Sequence, residues 1–276
     1  MEYIEVYFKL EPLLPAREIL YAELGDRGFE AFQDEVDGVK AYMKQGQFTE
    51  SLLKNLIISG IKGQKVDVCI VTIANQNWNS LWESNFDPIV VNSNCTIRAP
   101  FHAVSNVQYD LIISPQMSFG TGHHETTFLM SQELFSLDLQ SVDLLDMGSG
   151  TGVLAILAEK LGAKYIKAID IEEGAYVNAV DNCKLNNTEN IIVEKGDSKL
   201  LEGSLFQVIL ANINKNILLQ DISVYSSCLT IGGKLLLSGF FTTDVDEIRN
   251  EASKNGLKFV KMKEKNNWAI LMLEKL

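Results

Sequence analysis

The feature that most constrains this sequence is an apolar segment that runs directly into three closely spaced glycines. Residues 142–147 have the pattern of a buried strand, Gly148, Gly150 and Gly152 follow at alternate positions, and a helical periodicity begins directly after them. Such a turn leaves free backbone N–H groups and the positive end of a helix facing an anionic ligand. The segment therefore predicts an α/β domain that binds a nucleotide-like molecule at this turn.

The spacing of the glycines narrows the choice of ligand. Dinucleotide-binding enzymes carry G-x-G-x-x-G, whose third glycine serves close packing of the helix, and Val153 stands at that position here. About twenty residues further on, a second predicted strand ends in Asp170, where a carboxylate can accept hydrogen bonds from both hydroxyls of a ribose. These features favour a nucleoside other than a nicotinamide dinucleotide. A dinucleotide enzyme and a turn without any ligand are the alternatives.

Strands and helices alternate regularly after the glycine turn. Helices are predicted for residues 153–161, 175–185, 217–229 and 245–255, and strands for residues 142–147, 165–170, 191–194, 206–211, 234–238, 259–263 and 268–273. Buried strands that alternate with helices are typical of a doubly wound, mostly parallel sheet. Only residues 264–267 separate the last two strands, so we expect an antiparallel hairpin at the edge of the sheet.

The N-terminal part has a different order of elements. Strand, helix, strand, strand, helix and strand patterns follow one another over residues 2–11, 16–25, 31–36, 39–44, 51–59 and 65–74. This order is that of a ferredoxin-like α+β module. We therefore predict an N-terminal ferredoxin-like domain at residues 1–75, a linker region at residues 76–115 and an α/β domain at residues 116–276.

The composition disfavours several classes of protein. Lys and Arg total 24 against 36 acidic residues, which gives a net charge of −12, and no basic cluster is present. Proteins that bind a phosphate backbone usually have a basic face, so free RNA or DNA is disfavoured as the substrate and a basic protein partner is favoured. No apolar run approaches the ~20 residues of a membrane span, and the four cysteines have no disulfide or zinc spacing. We expect a cytoplasmic protein without a metal site.

A polar residue ends the fourth strand of the predicted sheet. Asn212 follows residues 206–211, and open α/β sheets bind their ligands beyond the carboxyl ends of the strands. Its amide oxygen can accept a hydrogen bond from an amine and so direct the nitrogen lone pair toward a second ligand. The alternative is that Asn212 caps the next helix.

Three motifs resemble those of the PrmA family, a family of class I S-adenosylmethionine-dependent protein methyltransferases. They are Trp78-x-x-x-Trp82-x-x-Asn85-Phe86-x-Pro88, Ser118-Phe119-Gly120-Thr121-Gly122-x-His124-x-Thr126-Thr127, and Asp146-x-Gly148-x-Gly150-x-Gly152 followed by Leu154-Ala155-Ile156. The resemblance extends over essentially the whole chain and includes the terminal antiparallel strand, which distinguishes the methyltransferase sheet from that of the dehydrogenases. Trp78 and Trp82 lie one helical turn apart, so packing in a core or between domains is the alternative for that motif.

The resemblance implies S-adenosylmethionine as the cofactor and indicates which residues contact it. Direct contacts are implied at Thr127, Gly148, Asp170 and Asn212, and Gly150, Phe119, Gly120, Thr121 and Gly122 are implied to line the same pocket. Asp197, just after the third strand, is implied to contact the adenine, and a solvated loop residue is the alternative. The sequence departs from the family pattern at His123, Glu125 and Asn214, so the resemblance does not extend to the details of the methyl acceptor.

The activity that the resemblance implies is methyl transfer to amines of a ribosomal protein of the large subunit. Lysine side chains and an α-amino group are the implied acceptors, the N-terminal domain is implied to dock the substrate, and Asn212 is expected to position the amine without a general base. One alternative is a methyltransferase of the same fold that acts on RNA or on glutamine and other amides. It is disfavoured because no Asn-Pro-Pro-type loop follows the fourth strand. The other is a non-catalytic, ribosome-associated binding factor, which is disfavoured because the glycines and Asp170 are intact.

Overall fold

The structure, a computed structural model, describes residues 3–73, 86–116 and 119–276. Trp78, Trp82, Asn85 and Ser118 lie outside the described residues, so the interpretations placed on them stay predictions. Within the described ranges, no helix is long and apolar enough to cross a membrane.

The first of two compact units, Met1–Phe86, contains a four-stranded antiparallel sheet. Its elements are β1 (Tyr3–Glu11), α1 (Ala16–Asp26), β2 (Ala31–Glu35), β3 (Gly38–Lys44) and β4 (Lys65–Ile73). The strands lie in the order β2-β3-β1-β4, and each adjacent pair is antiparallel. Alternate side chains of β1 are buried with α1, because successive residues of a strand face opposite sides of the sheet. The four predicted strands are confirmed, and their order in the sheet is that of a ferredoxin-like module.

One helix predicted in this unit is wrong. Residues 51–59 form parts of two short 3₁₀ segments, Glu50–Leu53 and Ile57–Gly60, and not an α-helix. Between these segments Asn55 has a φ of 55°, in the left-handed region that a continuous right-handed helix does not include. Ile58 is nevertheless fully buried in the core of the unit. The apolar spacing of this segment therefore indicates burial and not a helix.

The second compact unit, Asp87–Leu276, begins with a three-stranded sheet. Its strands are β5 (Ile89–Asn92), β6 (Cys95–Arg98) and β7 (Tyr109–Ile112), with β6 in the middle. Helix α2 (Glu125–Leu134) follows, and its apolar side chains share a core with those of the small sheet. The assignment of residues 76–115 as a linker stays a prediction; β5, β6 and β7 lie within that range.

A seven-stranded sheet forms the rest of the second unit. Its strands are β8 (Asp143–Met147), β9 (Tyr165–Asp170), β10 (Ile191–Lys195), β11 (Phe206–Asn212), β12 (Leu229–Phe241), β13 (Leu257–Lys265) and β14 (Trp268–Lys275). The connecting helices are α3 (Val153–Lys160), α4 (Glu173–Leu185), α5 (Lys215–Ser227) and α6 (Val245–Lys254). Between β10 and β11 a 3₁₀ turn, Ser198–Leu201, stands in place of a helix. The predicted elements of this part are confirmed, except that the helix predicted to end at residue 229 ends at Ser227. Strand β12 begins at Leu229 and extends beyond residues 234–238 at both ends.

The strand order β10-β9-β8-β11-β12-β14-β13 is that of a doubly wound sheet. Strands β8 to β12 run parallel to one another, and β14 is antiparallel to both of its neighbours. The predicted sheet and its terminal antiparallel hairpin are thus confirmed. Because β14 lies between β12 and β13 and runs against them, its first residue, Trp268, lies at the edge where the parallel strands end.

Apolar clusters cover both faces of this sheet. One cluster includes Leu144 and Leu210 and extends to α2 and α3, whereas the other includes Leu145 and Ile209 and extends to α5 and α6. Successive residues of a strand face opposite sides, so a strand covered on both faces has a continuous apolar run. These runs stop at the carboxyl ends of the strands, where polar residues form the candidate site.

Candidate active site

A cavity of about 660 Å³ opens at the carboxyl ends of β8, β9 and β11. This is the position at which open α/β sheets bind their ligands. The predicted site residues that line it are Phe119, Gly148, Gly150, Asp170, Asp197 and Asn212. Residues that line it without having been assigned to the site from the sequence include His124, Ile213, Ile217, Gln220, Asp221 and Trp268. Predicted residues that do not line it are Gly120, Thr121, Gly122 and Thr127.

The glycine turn approaches its neighbours so closely that side chains cannot be accommodated there. Gly148 and Gly150 have φ values of 70° and 53°, in the left-handed region. A Cβ atom on Gly148 would lie 2.1 Å from the side chain of Ile213. A Cβ atom on Gly150 would lie 2.2 Å from the carbonyl oxygen of Phe119. The turn therefore presents bare backbone to the cavity.

The carboxylate of Asp170 holds the glycine turn in place. The N–H of Gly150 donates to its Oδ2 at 2.8 Å, and the N–H of Glu172 donates to its Oδ1 at 3.0 Å. Each oxygen keeps a further lone pair, and the side chain lines the cavity. Asp170 can therefore accept hydrogen bonds from two hydroxyl groups of a ligand while it orients the turn.

A second carboxyl group, that of Asp146, is buried just before the glycine turn. Asp146 is 1% exposed, and its Oδ2 accepts the N–H of Ala155 at 3.1 Å. Its Oδ1 has no hydrogen-bond partner in the described part of the chain. Burial raises the pKa of Asp146 to about 7, and the negative charge of Asp170 acts in the same direction. This group is therefore largely protonated below neutral pH.

Asn212 brings an unpartnered oxygen to the cavity. The residue is 8% exposed, and its Nδ2 donates to the hydroxyl of Thr127 at 3.3 Å. Its Oδ1 has no hydrogen-bond partner among the residues that the structure describes. Leaving a buried amide oxygen without a donor costs roughly 1–3 kcal/mol, so such an atom marks a binding position for an N–H group. The cap of α5 is Asn214, whose Oδ1 accepts the N–H of Ile217 at 3.2 Å, and not Asn212.

Aromatic rings form one wall of the cavity. The ring of His124 contacts those of Phe119 and Trp268, with centroids 5.0 Å and 4.6 Å away, and Phe241 lies 4.2 Å from Trp268. His124 also caps α2, because its Nδ1 accepts the N–H of Thr126. Such a wall can pack against an alkyl chain and can stabilise a cation above a ring face.

The three departures from the family pattern have different positions. A ring nitrogen of His123 lies 3.1 Å from the hydroxyl of Thr121, and the carboxylate of Glu125 accepts a hydrogen bond from Asn266 at 2.8 Å. Asn214 lines the cavity, whereas His123 and Glu125 do not. Within the described ranges, no group of His, Cys, Asp and Glu side chains is placed to hold a metal ion, and the expected absence of a metal stays a prediction.

The segment that begins at Phe119 lies against the glycine turn. The N–H of Thr151 donates to the carbonyl of Phe119 at 2.9 Å, and the hydroxyl of Thr151 donates to the carbonyl of Gly120 at 2.6 Å. A Cβ atom on Gly122 would lie 3.1 Å from Ile97 of β6, so this end of the segment packs on the three-stranded sheet. The segment thus links the small sheet to the turn.

Two buried asparagines, Asn182 within α4 and Asn186 at its C-cap, hold the end of β7, and Asn182 also contacts the glycine turn. Asn182 accepts the N–H of Ser114 at 2.8 Å and donates to the carbonyl of Thr151 at 2.9 Å. Asn186 accepts the N–H of Ile112 at 2.9 Å and donates to the carbonyl of the same residue at 2.6 Å. Because residues four apart lie on one side of a helix, α4 holds both segments at once.

Helix α5 and the 3₁₀ turn after β10 form another part of the wall. Asp197 caps that turn: its Oδ1 accepts the N–H of Lys199 at 3.0 Å, and its Oδ2 pairs with the Lys199 ammonium at 3.1 Å. Ile217 and Asp221, one helical turn apart on α5, also line the cavity. Asp221 is 6% exposed and accepts a hydrogen bond from the hydroxyl of Tyr225 at 3.4 Å.

Sequence reasoning missed Trp268 and Asp221 as cavity residues. The signal for Trp268 was the predicted terminal hairpin, since the first residue of an antiparallel strand lies where the parallel strands end. The signal for Asp221 was an acidic residue on the buried stripe of α5, between Leu218 and Tyr225. Acidic residues are rarely buried unless they have a partner or a function.

Known proteins resemble this chain over most of its length. The model of the family described as "Ribosomal protein L11 methyltransferase (PrmA)" matches residues 16–276. A ribosomal protein L11 methyltransferase of Bacteroides thetaiotaomicron is 43% identical over 274 residues, with 98% of each chain covered. One of Porphyromonas gingivalis is also 43% identical, with 98% of this chain and 97% of the other covered. The crystal structure of a ribosomal protein L11 methylase of Lactobacillus delbrueckii subsp. bulgaricus has a TM-score of 0.64 at 27% identity and covers 69% of this chain and 100% of its own.

Proposed function

The chain belongs to the ribosomal protein L11 methyltransferase (PrmA) family, and on this basis we propose that it transfers methyl groups from S-adenosylmethionine to amines of ribosomal protein L11. Lysine side chains and an α-amino group are the proposed acceptors. The observation that carries the proposal is the Oδ1 of Asn212, a buried oxygen without a partner in the described ranges, on a residue that lines the same cavity as the glycine turn. A methyl donor at the turn and an amine at Asn212 would meet in one space.

The residues at the turn fit S-adenosylmethionine. Gly148 and Gly150 expose bare backbone, Asp170 keeps lone pairs for the ribose hydroxyls, and Ile171 offers an apolar surface beside the base. When bound, this cofactor supplies a methyl group activated by a positively charged sulfur. Methyl transfer from sulfur is an in-line displacement, so the protein has to align donor and acceptor and needs no nucleophilic side chain.

The acceptor amine has to be neutral when it reacts. A free lysine side chain has a pKa near ~10.4 and is therefore mostly charged at neutral pH. Removal from water lowers the pKa of that amine, and so does a neighbouring positive charge, because both disfavour the ammonium form. Asn212 is uncharged, so its oxygen can orient the N–H of the amine without stabilising the ammonium form. A carboxylate at this position would stabilise the ammonium form. We assign no general base, and the proton leaves to water.

The aromatic wall supports an amine substrate on an alkyl chain. Phe119, His124 and Trp268 line the same cavity as Asn212. The methylene groups of a lysine can pack against these rings while the nitrogen reaches the amide oxygen. A methylated ammonium product keeps its charge and is stabilised by the ring faces.

The N-terminal unit is the proposed docking surface for the substrate protein. The net charge of −12 favours a basic partner, since opposite charges speed encounter and favour the correct orientation. A ribosomal protein as substrate also places the proposed activity in the cytoplasm. Methylation of RNA or of amides, and a non-catalytic binding factor, are the competing outcomes of the test.

The proposal is tested in two reactions, each of which contains the purified protein and labelled S-adenosylmethionine. One reaction contains ribosomal protein L11 as the substrate and the other contains ribosomal RNA. We expect label in the protein, and we expect Asn212→Ala to lower the rate by roughly 100-fold, the scale on which one orienting hydrogen bond acts in catalysis. Asn250→Ala, at an exposed position of α6, is the control. Label in RNA alone would refute the assignment of a protein amine. Tight binding of S-adenosylmethionine without transfer of label to either substrate would favour the non-catalytic, ribosome-associated binding factor.

A further inference from the structure

Asp221 is a buried carboxylate that the proposed methyl transfer does not use. It is 6% exposed, yet it is one of the residues that line the cavity. In the described ranges its sole hydrogen bond is the one from the hydroxyl of Tyr225, at 3.4 Å, and it makes no ion pair. A largely buried carboxylate with so little support can accept a further hydrogen bond from a donor that enters the cavity.

The order of the strands indicates which part of the ligand Asp221 faces. Asp170, the proposed ribose site, is the last residue of β9. In the sheet, β11, which ends in the proposed acceptor residue Asn212, lies on one side of β9, and β10 lies on its other side. The methionine part of the cofactor has to extend toward Asn212, so the base extends toward the end of β10. The 3₁₀ turn that follows β10 packs against α5, which carries Asp221. Asp221 therefore belongs to the base end of the cavity.

The chemistry of the group that donates a hydrogen bond to Asp221 also indicates the adenine base. A carboxylate beside the acceptor nitrogen would favour the ammonium form, which cannot accept a methyl group. The exocyclic amine of adenine is a neutral hydrogen-bond donor that is not methylated in this reaction, so a carboxylate beside it does not hinder methyl transfer. Asp197, another acidic residue that lines the cavity, is paired with the backbone and side chain of Lys199, whereas Asp221 makes no ion pair in the described ranges. We infer that Asp221 recognises the adenine of the cofactor, by accepting a hydrogen bond from its exocyclic amine.

This inference rests on the proposed use of S-adenosylmethionine and is tested with two nucleosides. S-adenosylhomocysteine carries the exocyclic amine, and S-inosylhomocysteine carries an oxygen there, which a carboxylate repels. We expect calorimetry of the whole protein to give a preference for the adenine compound of about tenfold or more, the scale of one hydrogen bond to a charged group. Asp221→Leu, which fills the same space on an apolar stripe, is expected to bring the ratio of the two dissociation constants close to one.

Two further variants separate the possible outcomes. Asp221→Asn keeps the size of the side chain, but its amide can accept from the adenine amine or donate to the inosine oxygen, so the preference is expected to fall; this variant also covers the case in which Asp221→Leu does not fold. Asp197→Ala is expected to leave the preference unchanged. A preference that persists in Asp221→Leu, or that disappears in Asp197→Ala, would overturn the inference. A wild-type protein that binds neither compound would contradict the proposed cofactor itself, and this result is distinguishable from the others.

Discussion

Single polar groups determine what the cavity can bind. Asn212 offers a neutral oxygen without a donor in the described ranges, Asp170 offers oxygens that are partly used by the backbone, and Asp146 is a buried acid whose pKa is raised to about 7. These groups end neighbouring strands, yet they differ in charge and in partners. Substitutions at Asp170 and Asp146 are therefore expected to change different measurements.

Asp170→Ala is expected to weaken the binding of S-adenosylhomocysteine by roughly 100-fold or more. The substitution removes the proposed ribose contacts, each a hydrogen bond to a charged group, and also releases the N–H of Gly150 that orients the turn. Calorimetry measures the affinity, and circular dichroism checks that the fold is intact. Asp246→Ala, at an exposed position of α6, is the control. Unchanged affinity would refute the placement of the ribose.

Asp146→Asn is expected to flatten the pH dependence of folding stability. A carboxyl group whose pKa is about 7 in the folded chain, against 3.8 as the ordinary value, binds its proton more tightly when folded. Its contribution to the free energy of unfolding therefore falls as the pH rises from about 4 to about 7, by up to about 4 kcal/mol. The amide is uncharged and keeps an oxygen for the N–H of Ala155. Urea unfolding at pH 5 and pH 8 measures the effect, and equal pH slopes in both proteins would contradict it.

At the scale of the elements, α4 joins parts of the chain that are far apart in sequence. Asn182 connects the backbone after β7 to the glycine turn, whereas Asn186 connects to Ile112, to its own helix and, through its carbonyl, to Lys160 of α3. Both side chains are buried, so their hydrogen bonds are not exchanged with water. The position of the glycine turn therefore depends on α4, and α4 itself lines the cavity mainly with residues of its first turn.

Asn182→Ala is expected to lower the free energy of unfolding by about 2–4 kcal/mol. The substitution leaves the N–H of Ser114 and the carbonyl of Thr151 without partners, and each such buried group costs about 1–3 kcal/mol. We also expect weaker binding of S-adenosylhomocysteine, because Thr151 belongs to the glycine turn. Urea unfolding and calorimetry measure the two effects, with Asn250→Ala as the control. A loss of stability without any loss of affinity would show that α4 does not orient the turn.

Periodicity predicts those elements whose environment is uniform. Strands β8 and β11 are covered on both faces, so their apolar runs identify them, and the glycines between β8 and α3 locate the turn. The same signal failed at residues 51–59, where apolar side chains are buried by 3₁₀ segments. Trp268 reaches the cavity because β14 lies between β12 and β13, and local patterns do not encode such an order. The turn and the strand-end residues that line the cavity were therefore accessible from the sequence, whereas Trp268 and Asp221 were not.

At the scale of the whole molecule, the chain combines an α/β unit that holds the candidate site with a smaller ferredoxin-like unit. Each unit has its own apolar core. The cavity is lined by residues from position 119 onward, all within the second unit. Binding of the small cofactor and recognition of a folded substrate protein are therefore expected to be separable.

Residues 87–276 alone are expected to bind S-adenosylhomocysteine as tightly as the full chain does. With intact ribosomal protein L11 as the substrate, we expect kcat/KM of this fragment to fall by roughly tenfold or more, because a docked substrate has a high effective concentration at the site. With a short lysine peptide as the substrate, the two proteins should have similar kcat/KM values. Equal rates on the intact protein would refute a docking role for the N-terminal unit.

In the proposed mechanism, the oxygen of Asn212 also affects how the reaction ends. A neutral primary amine has two hydrogens to donate, and each of the first two methyl groups that it gains replaces one of them. A nitrogen that has received its full set of methyl groups has none left, and nothing on it satisfies that oxygen any longer. The fully methylated product therefore lacks this hydrogen bond to the enzyme. The same oxygen that favours binding of an unmethylated amine thus disfavours binding of the fully methylated product.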